Sequence, residues 1–358
     1  MRSPRWTTAV PVLAVVVLAA TWGSKPPGLV LVLVGAFLAA SVLAAVHHAE
    51  IVAHRVGEPF GSLVLAVAVT IIEVALIVTL MVSGGDETAT LARDTVFAAV
   101  MITCNGIVGL SLLVGTLRRR FAEFNAEGTA TALATVSTLA TLTLVLPTFT
   151  TSRPGPEFSG GQLAFAAVAS IALYGLFVFI QTVRHRDYFL PVGASADDPE
   201  AHAAPPSDRA ALISVGLLVV ALVAVVGLAK IESPAIEDAV DAAGAPPSAV
   251  GVVIALLVLL PETLAAVRNA LHDRIQTSFN LALGSAMASI GLTIPAIAIA
   301  SIWLDGPLVL GLGSTQTVLL VITVIVTGLT VLPGRATLQE SGVHLVVFAA
   351  FLFLAVFP

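Results

Sequence analysis

An all-α, polytopic membrane protein is the fold class this sequence predicts, and three observations predict it. Of 358 residues, 58% are hydrophobic and only 11% are charged, far below the charge content of a soluble domain. Mean hydropathy is +1.03. Apolar runs of about 20 residues, the length of helix that crosses a bilayer, recur to the end of the chain. Turn or charge signals punctuate the runs: Lys25-Pro26-Pro27, Gly84-Gly85-Asp86, Arg118-Arg119-Arg120, Arg153-Pro154-Gly155, Ala245-Pro246-Pro247 and Pro333-Gly334-Arg335.

Eleven spans are expected, near 7–22, 28–50, 60–83, 94–117, 127–149, 161–183, 210–230, 247–268, 278–303, 314–332 and 341–357. The first follows Arg2 and Arg5 and resembles a signal peptide. It reads as a retained span, because no small-residue cleavage site precedes the next apolar run. The stretch 184–209 contains an Ala-, Pro- and Asp-rich segment from Ala194 to Ser207 and reads as a disordered linker. The expected organisation is an extra N-terminal helix (1–27), a first five-helix repeat (28–183), the linker (184–209) and a second five-helix repeat (210–358).

The basic residues orient these spans. With the N-terminus on one side, that side collects Arg2, Arg5, Arg55, Arg118, Arg119, Arg120, Arg184, Arg186, Arg209, Arg268, Arg274 and Arg335. The other side has Lys25, Arg93, Arg153 and Lys230. Positive charge stays in the cytoplasm. The N-terminus and the linker are therefore expected inside and the C-terminus outside. The net charge of −6 carries little meaning, because most charges lie in loops. Cys104 is the sole cysteine, so an internal disulfide is excluded and the redox compartment stays open.

The acids single out a site. Of 22 Asp and Glu residues, 20 fall in loops or near span ends, which leaves Glu73 and Glu262 deep in apolar sequence. An ionisable group at that depth marks a functional site by default. Glu73 is in the second of the five spans before the linker, and Glu262 is in the second of the five after it. Five is odd, so the second copy enters the membrane from the opposite side. Inverted repeats of this kind place a site at the midplane that opens to either face.

Around these acids the sequence offers further oxygen and backbone ligands. Thr70 lies one turn before Glu73 on the same face. Pro261 precedes Glu262 and removes the helix partner of the Leu257 carbonyl, a freed oxygen of the type hard cations take. Asn280, Gly284, Ala288 and Gly291 form a small-residue stripe with Ser285 and Ser289 beside it. By composition the stripe favours helix packing, with Gly284 able to admit an ion to the backbone. Asn105, in the insert Thr103-Cys104-Asn105-Gly106, is either helix glue or a ligand. His47, His48 and His54 are expected to line a cytoplasmic vestibule, and Glu58 to act as a gate or a solvated helix end. Ala49 after the paired histidines breaks the zinc-protease spacing. No phosphate loop, dinucleotide fingerprint or Ser/His/Asp set is present, so an enzyme, a cofactor and a nucleic-acid partner are not expected. The expected partners are the bilayer and inorganic ions, with a homo-oligomer left open.

At these residues the chain resembles the cation/Ca²⁺ exchanger superfamily, and most of all the bacterial calcium (sodium, potassium)/proton antiporters of the ChaA type. The resemblance covers about 28–357. Gly57, Glu58 and Gly61 match the opening of the family's first repeat, Glu73 its central acid and Asn105 its later Asn. Glu262, Gly284, Ser285 and Pro295 match the second repeat. The resemblance implies two ion-binding glutamates, alternating access, and proton-coupled cation export across a bacterial plasma membrane. The cargo it implies is Ca²⁺, or Na⁺ or K⁺, with H⁺. The chain departs from the family pattern at Thr70 and Leu259, where Asn is usual, at Val100-Met101, where Gly-Ser is usual, and at Ala288, where Gln is usual. The site is thus poorer in amide ligands than a typical calcium site, which leaves Na⁺ and K⁺ open. A cation channel is the rival reading; it needs no inverted carboxylate pair.

Overall fold

The computed structural model describes residues 5–24, 26–57, 60–84, 89–192, 206–303 and 306–358. Helical rods stand at all eleven expected places: α1 (Arg5–Thr21), α2 (Gly28–Val56), α3 (Phe60–Gly84), α4 (Leu91–Arg118), α5 (Ala126–Phe149), α6 (Gly160–Arg184), α7 (Asp208–Ala242), the bent pair α8 (Ser248–Val258) and α9 (Leu260–Leu271), α10 (Ile275–Ala300), α11 (Ser314–Val331) and α12 (Leu338–Val356). Among the described residues, eight are long and apolar enough to cross a membrane. The bent pair makes a ninth, while α1 and the stretch Ala66–Val82 of α3 are shorter apolar helices.

Local chemistry sets the ends. Asn125 caps α5 by accepting the Glu127 and Gly128 amides at 3.0 and 3.2 Å. Ser159 and Gln162 form a capping box at the start of α6, and Thr337 and Glu340 form one at the start of α12. Gly57 closes α2 at φ +77°, a conformation open to glycine and costly to other residues. Two rods outrun their expected bounds. The α2 helix continues from 50 to 56, and α7 continues from 230 to 242, through Pro234. An interior proline removes one rung of the helix, and the rest of α7 carries it past that gap.

The interior holds two apolar clusters. One is built around α4, α5, α6, α10 and α12, with Phe97, Met101, Phe177, Phe279, Met287 and Phe351 buried. The other joins α1, α2, α3, α7 and α8 through residues such as Leu38, Val42, Ile72, Leu76, Ala224 and Leu228. The outer faces are as apolar as the inside: Leu29, Phe165, Val168, Leu212, Val318 and Val346 stand exposed. So much exposed apolar surface is a bilayer contact. The most enclosed rod is α4, which is π-wound over Ile102–Ile107; α10 is π-wound over Ser289–Thr293. At the end of the molecule that carries Arg118–Arg120, a two-residue antiparallel pairing joins β1 (Ala122–Glu123) to β2 (Arg335–Ala336).

At the opposite end, Arg93 and Asp94 form an ion pair at 2.8 Å, with Asp94 only 3% exposed. Thr90 donates to Asp94 at 2.7 Å and Gln316 at 3.1 Å, and Arg93 donates to the Gly311 carbonyl at 3.3 Å. This network fastens the start of α4 to the start of α11. Removing one partner of such a pair leaves the other charge buried. Asp94→Ala is therefore expected to destabilise the protein by about 3–5 kcal/mol, read as a lowered thermal midpoint in detergent, with Asp94→Asn milder.

Candidate cation-binding site

Three segments build the site. The first is α3, which is unbroken and buries Glu73 at 4% exposure with Thr70 one turn earlier. The second is the break between α8 and α9. The chain leaves helical geometry at Leu259 (φ −86°, ψ 1°), and the two axes differ by 50°. Pro261 falls in the first turn of α9, where a missing amide hydrogen costs nothing. Glu262 follows in the same turn, where the positive end of the helix dipole favours a carboxylate. The third is α10, which supplies Gly284, Ser285 and Ser289.

Glu73, Thr70, Glu262, Gly284, Ser285 and Ser289 all line one cavity of about 240 Å³. Ser289 Oγ donates to Glu73 Oε1 at 2.6 Å. Glu262 is half-buried, and its Oε2 is buried with no hydrogen-bond partner. A buried carboxylate oxygen left unpaired is costly, and a proton or a cation satisfies it. Among the described residues, no group of three or more His, Cys, Asp and Glu forms a metal cage. Two carboxylates, several hydroxyls and the amides of Gln181 and Asn280 instead place oxygen ligands of the kind that suits hard cations in an otherwise largely apolar cavity.

The small-residue stripe divides. Asn280, Gly284 and Ala288 face the cavity, and a Cβ on Gly284 would meet nothing within 4 Å. Gly291 serves packing: a Cβ there would lie 2.8 Å from Cβ of Tyr174.

Other expected site residues lie elsewhere. Asn105 does not line the cavity. It is fully buried, donates to Thr323 Oγ1 at 2.9 Å, and sets its Oδ1 3.3 Å from His344 Nδ1. The His344 Nε2 in turn meets Thr330 Oγ1 at 3.1 Å. Of its two readings Asn105 is helix glue, because α11 and α12 consume its amide. Nor does His48 belong to a vestibule: it is buried, with Nε2 2.9 Å from the Thr7 carbonyl and Nδ1 3.3 Å from Ser214 Oγ, tying α1 and α7 to α2. His47 is half-buried beside Glu50, and His54 is exposed; neither lines the cavity. Glu58 lies outside the described residues.

The sequence reading missed Ser289, Tyr174, Gln181, Thr277 and Asn280 as cavity residues. Ser289 was within reach, being four residues after Ser285 on the same helical face. Asn280 was visible in the stripe. Tyr174 and Gln181 carried a fainter signal: with Ser170 they fall at i, i+4 and i+11 on one face of an otherwise apolar α6.

A multi-helix membrane protein with two intramembrane carboxylates around one cavity is of the ion-carrying class. The chain belongs to the sodium/calcium exchanger protein family, whose profile matches residues 27–183 and 213–357. It is 46% identical over 358 residues to a Sinorhizobium fredii protein provisionally named ionic transporter y4hA, covering 99% of this chain and 97% of that one. It is 35% identical over 347 residues to the sodium-potassium/proton antiporter ChaA of Escherichia coli, covering 96% of this chain and 93% of that one. Among solved structures, native YfkE superposes with a TM-score of 0.71 at 17% identity and 99% coverage of both chains. The H⁺/Ca²⁺ exchanger CAX gives 0.69 at 14% identity, covering 98% of this chain and 91% of that one. These two share the fold.

The two glycines of α10 separate site from scaffold. Gly284→Val is expected to fill the cavity and lower transport at nearly unchanged thermal stability. Gly291→Val, forced against Tyr174, is expected to cost about 1–3 kcal/mol, measured by thermal unfolding of each variant beside a flux assay.

Proposed function

We propose that the chain is a cation/proton antiporter that exports a cytoplasmic cation around Glu73 and Glu262. The observation that carries this reading is the shared cavity: both deep carboxylates line it, and among the described residues no basic side chain does. A bare carboxylate away from water is expensive, so each holds either a proton or a cation. Proton and cation thus compete for the same oxygens, and loading one expels the other. Two carboxylates balance one divalent ion against two protons, which makes Ca²⁺ the first cation to test.

A second reading keeps the mechanism and changes the cargo to Na⁺ or K⁺. Thr70 and the apolar Leu259 stand three residues before the two acids, and of the amides that line the cavity Asn280 is already engaged by Gln276 and the Phe189 carbonyl, which leaves Gln181 to serve a calcium ion. The name of the Escherichia coli relative points the same way.

The two five-helix sets are read as inverted repeats, with Glu73 and Glu262 in corresponding helices. The cavity is lined by the first half of α3, the last half of α6 and the first half of α10. All three halves point to the end with Arg118–Arg120. With that end in the cytoplasm, this conformer faces inward, and the N-terminus lies inside with the C-terminus outside.

The test is a reconstituted vesicle with an imposed pH gradient, challenged in turn with Ca²⁺, Na⁺ and K⁺. Cation-dependent collapse of the gradient is expected in the wild type and its loss in Glu73→Gln and Glu262→Gln. Wild-type exchange by either variant would overturn the assignment. Competition also fixes the sign of the pH dependence. The half-saturating cation concentration is expected to rise as pH falls on the cation side, by up to about tenfold per unit for each proton displaced. The rate at saturating cation changes far less, which initial-rate measurements at several pH values will separate.

A further inference from the structure

The three consecutive arginines at the end of α4 divide their work. Arg118 donates to the Leu271 carbonyl at the end of α9, and Arg119 pairs with Asp273 at 2.8 Å. These two hold the turn between α9 and α10. Arg120 is turned elsewhere: its guanidinium stands 5.9 Å from the centroid of the Phe121 ring. The guanidinium of Arg335 stands 5.2 Å from the same centroid.

The β1–β2 pairing brings these groups together. Side chains alternate between the two faces of a strand, so Phe121, one residue before β1, shares a face with Glu123. Arg335 lies opposite Glu123 in the register and reaches Phe121 on the diagonal. The Phe124 amide donates to the Gly334 carbonyl at 3.0 Å, which extends the pairing. Two cations are thus gathered on one ring, whose electron-rich face attracts both. Among the described residues, neither Arg120 nor Arg335 makes an ion pair. The nearby acids do not quench them. Asp273 is taken by Arg119, Glu340 accepts from the amide and hydroxyl of Thr337, and Glu123 is exposed without an ion pair to Arg335.

The depth of this pair is marked by its neighbours. Leu117 is 68% exposed, Leu332 74% and Leu338 51%, and each is three residues from Arg120 or Arg335. They end the bilayer-facing surfaces of α4 and α11 and begin that of α12. The two arginines therefore stand where acyl chains give way to headgroups. We propose that Arg120 and Arg335, gathered on Phe121, bind the phosphate of an anionic phospholipid. A guanidinium fork matches phosphate oxygens two at a time, and two forks meet one phosphate with an excess of positive charge. A zwitterionic lipid brings its own ammonium into that field, and an anionic one does not. Arg120 and Phe121 also line a groove of about 280 Å³, which leaves room for the rest of the headgroup. Arg120 follows α4 and Arg335 precedes α12, so the bound lipid fastens together elements distant in sequence.

The test titrates delipidated full-length protein in detergent with phosphatidylglycerol, and reads the affinity of the first lipid bound by native mass spectrometry. Phosphatidylcholine and inorganic phosphate are the comparison ligands. Wild type is expected to prefer phosphatidylglycerol to phosphatidylcholine. Each of Arg120→Gln and Arg335→Gln is expected to weaken phosphatidylglycerol about fivefold, the worth of one arginine near a charged lipid surface. Both are surface changes, expected to leave the thermal midpoint in place. Arg184→Gln, an exposed arginine at the end of α6, is expected to change nothing. Phosphatidylglycerol affinity that ignores both arginines, or wild-type affinity equal for the two lipids, would overturn the proposal. Loss of the bound lipid to an equal concentration of inorganic phosphate would assign the pair to a soluble phosphate and overturn it too. The two wild-type comparisons need no variant, and none of these outcomes bears on the antiport reading.

Discussion

A carboxylate cannot stay charged and bare in a medium of low dielectric, and much of this structure follows from that constraint. Glu73 is 4% exposed in a helix whose neighbours are Ile, Val and Leu. It persists as an acid because a hydroxyl from the other half of the chain donates to it at 2.6 Å. Glu262 sits where a helix starts afresh, so the free amides of its first turn lie near its charge. An unbroken α8–α9 helix would deny that carboxylate the helix dipole.

The same constraint governs the other polar groups that the rods bury. Asp94 is matched by Arg93, Thr90 and Gln316; His48 by Thr7 and Ser214; Asn105 by Thr323 and His344. Each network joins helices distant in sequence, and each is closed within the protein. Among the described residues, two buried carboxylate oxygens stay without a hydrogen-bond partner, Glu232 Oε2 on α7 and Glu262 Oε2, and of the two acids Glu262 lines the cavity. An acid left open beside a 240 Å³ space gives a mobile ion a place to bind.

What was legible in the sequence follows from which signals survive without tertiary contacts. The rods were legible because apolar length alone encodes them, and Glu73 and Glu262 because a charge in such a run has no ordinary explanation. Gly284 and Ser285 were visible through the family pattern. The extent of α7 was not, since a proline near the end of an apolar run reads as a stop while the packed helix runs past it. Asn105 was left between helix glue and ligand, and His48 was expected at a vestibule, for a common reason. A polar residue deep in an apolar run announces that it needs a partner and does not say which. Tyr174 and Gln181 were weakly marked, by a sparse polar stripe with Ser170 along one face of α6.

The two halves of the site are unequal, and the inequality has a direction. Counting along α4 and α10 in the proposed repeat, Asn105 stands where Ser289 does, and Val100-Met101 where Gly284-Ser285 does. Ser289 reaches the acid of the other half; Asn105 turns away to Thr323 and His344. Met101 offers a thioether, and it is fully buried. Glu73 is therefore held in place by a donor from across the repeat boundary, and Glu262 receives no equivalent. A fixed carboxylate suits the positioning of a cation, since its geometry costs nothing to organise at the moment of binding. An unfixed one suits exchange, since no hydrogen bond must break before a proton arrives or departs. Under the proposed antiport, this division would have Glu73 orient the cargo while Glu262 exchanges more freely between proton and cation.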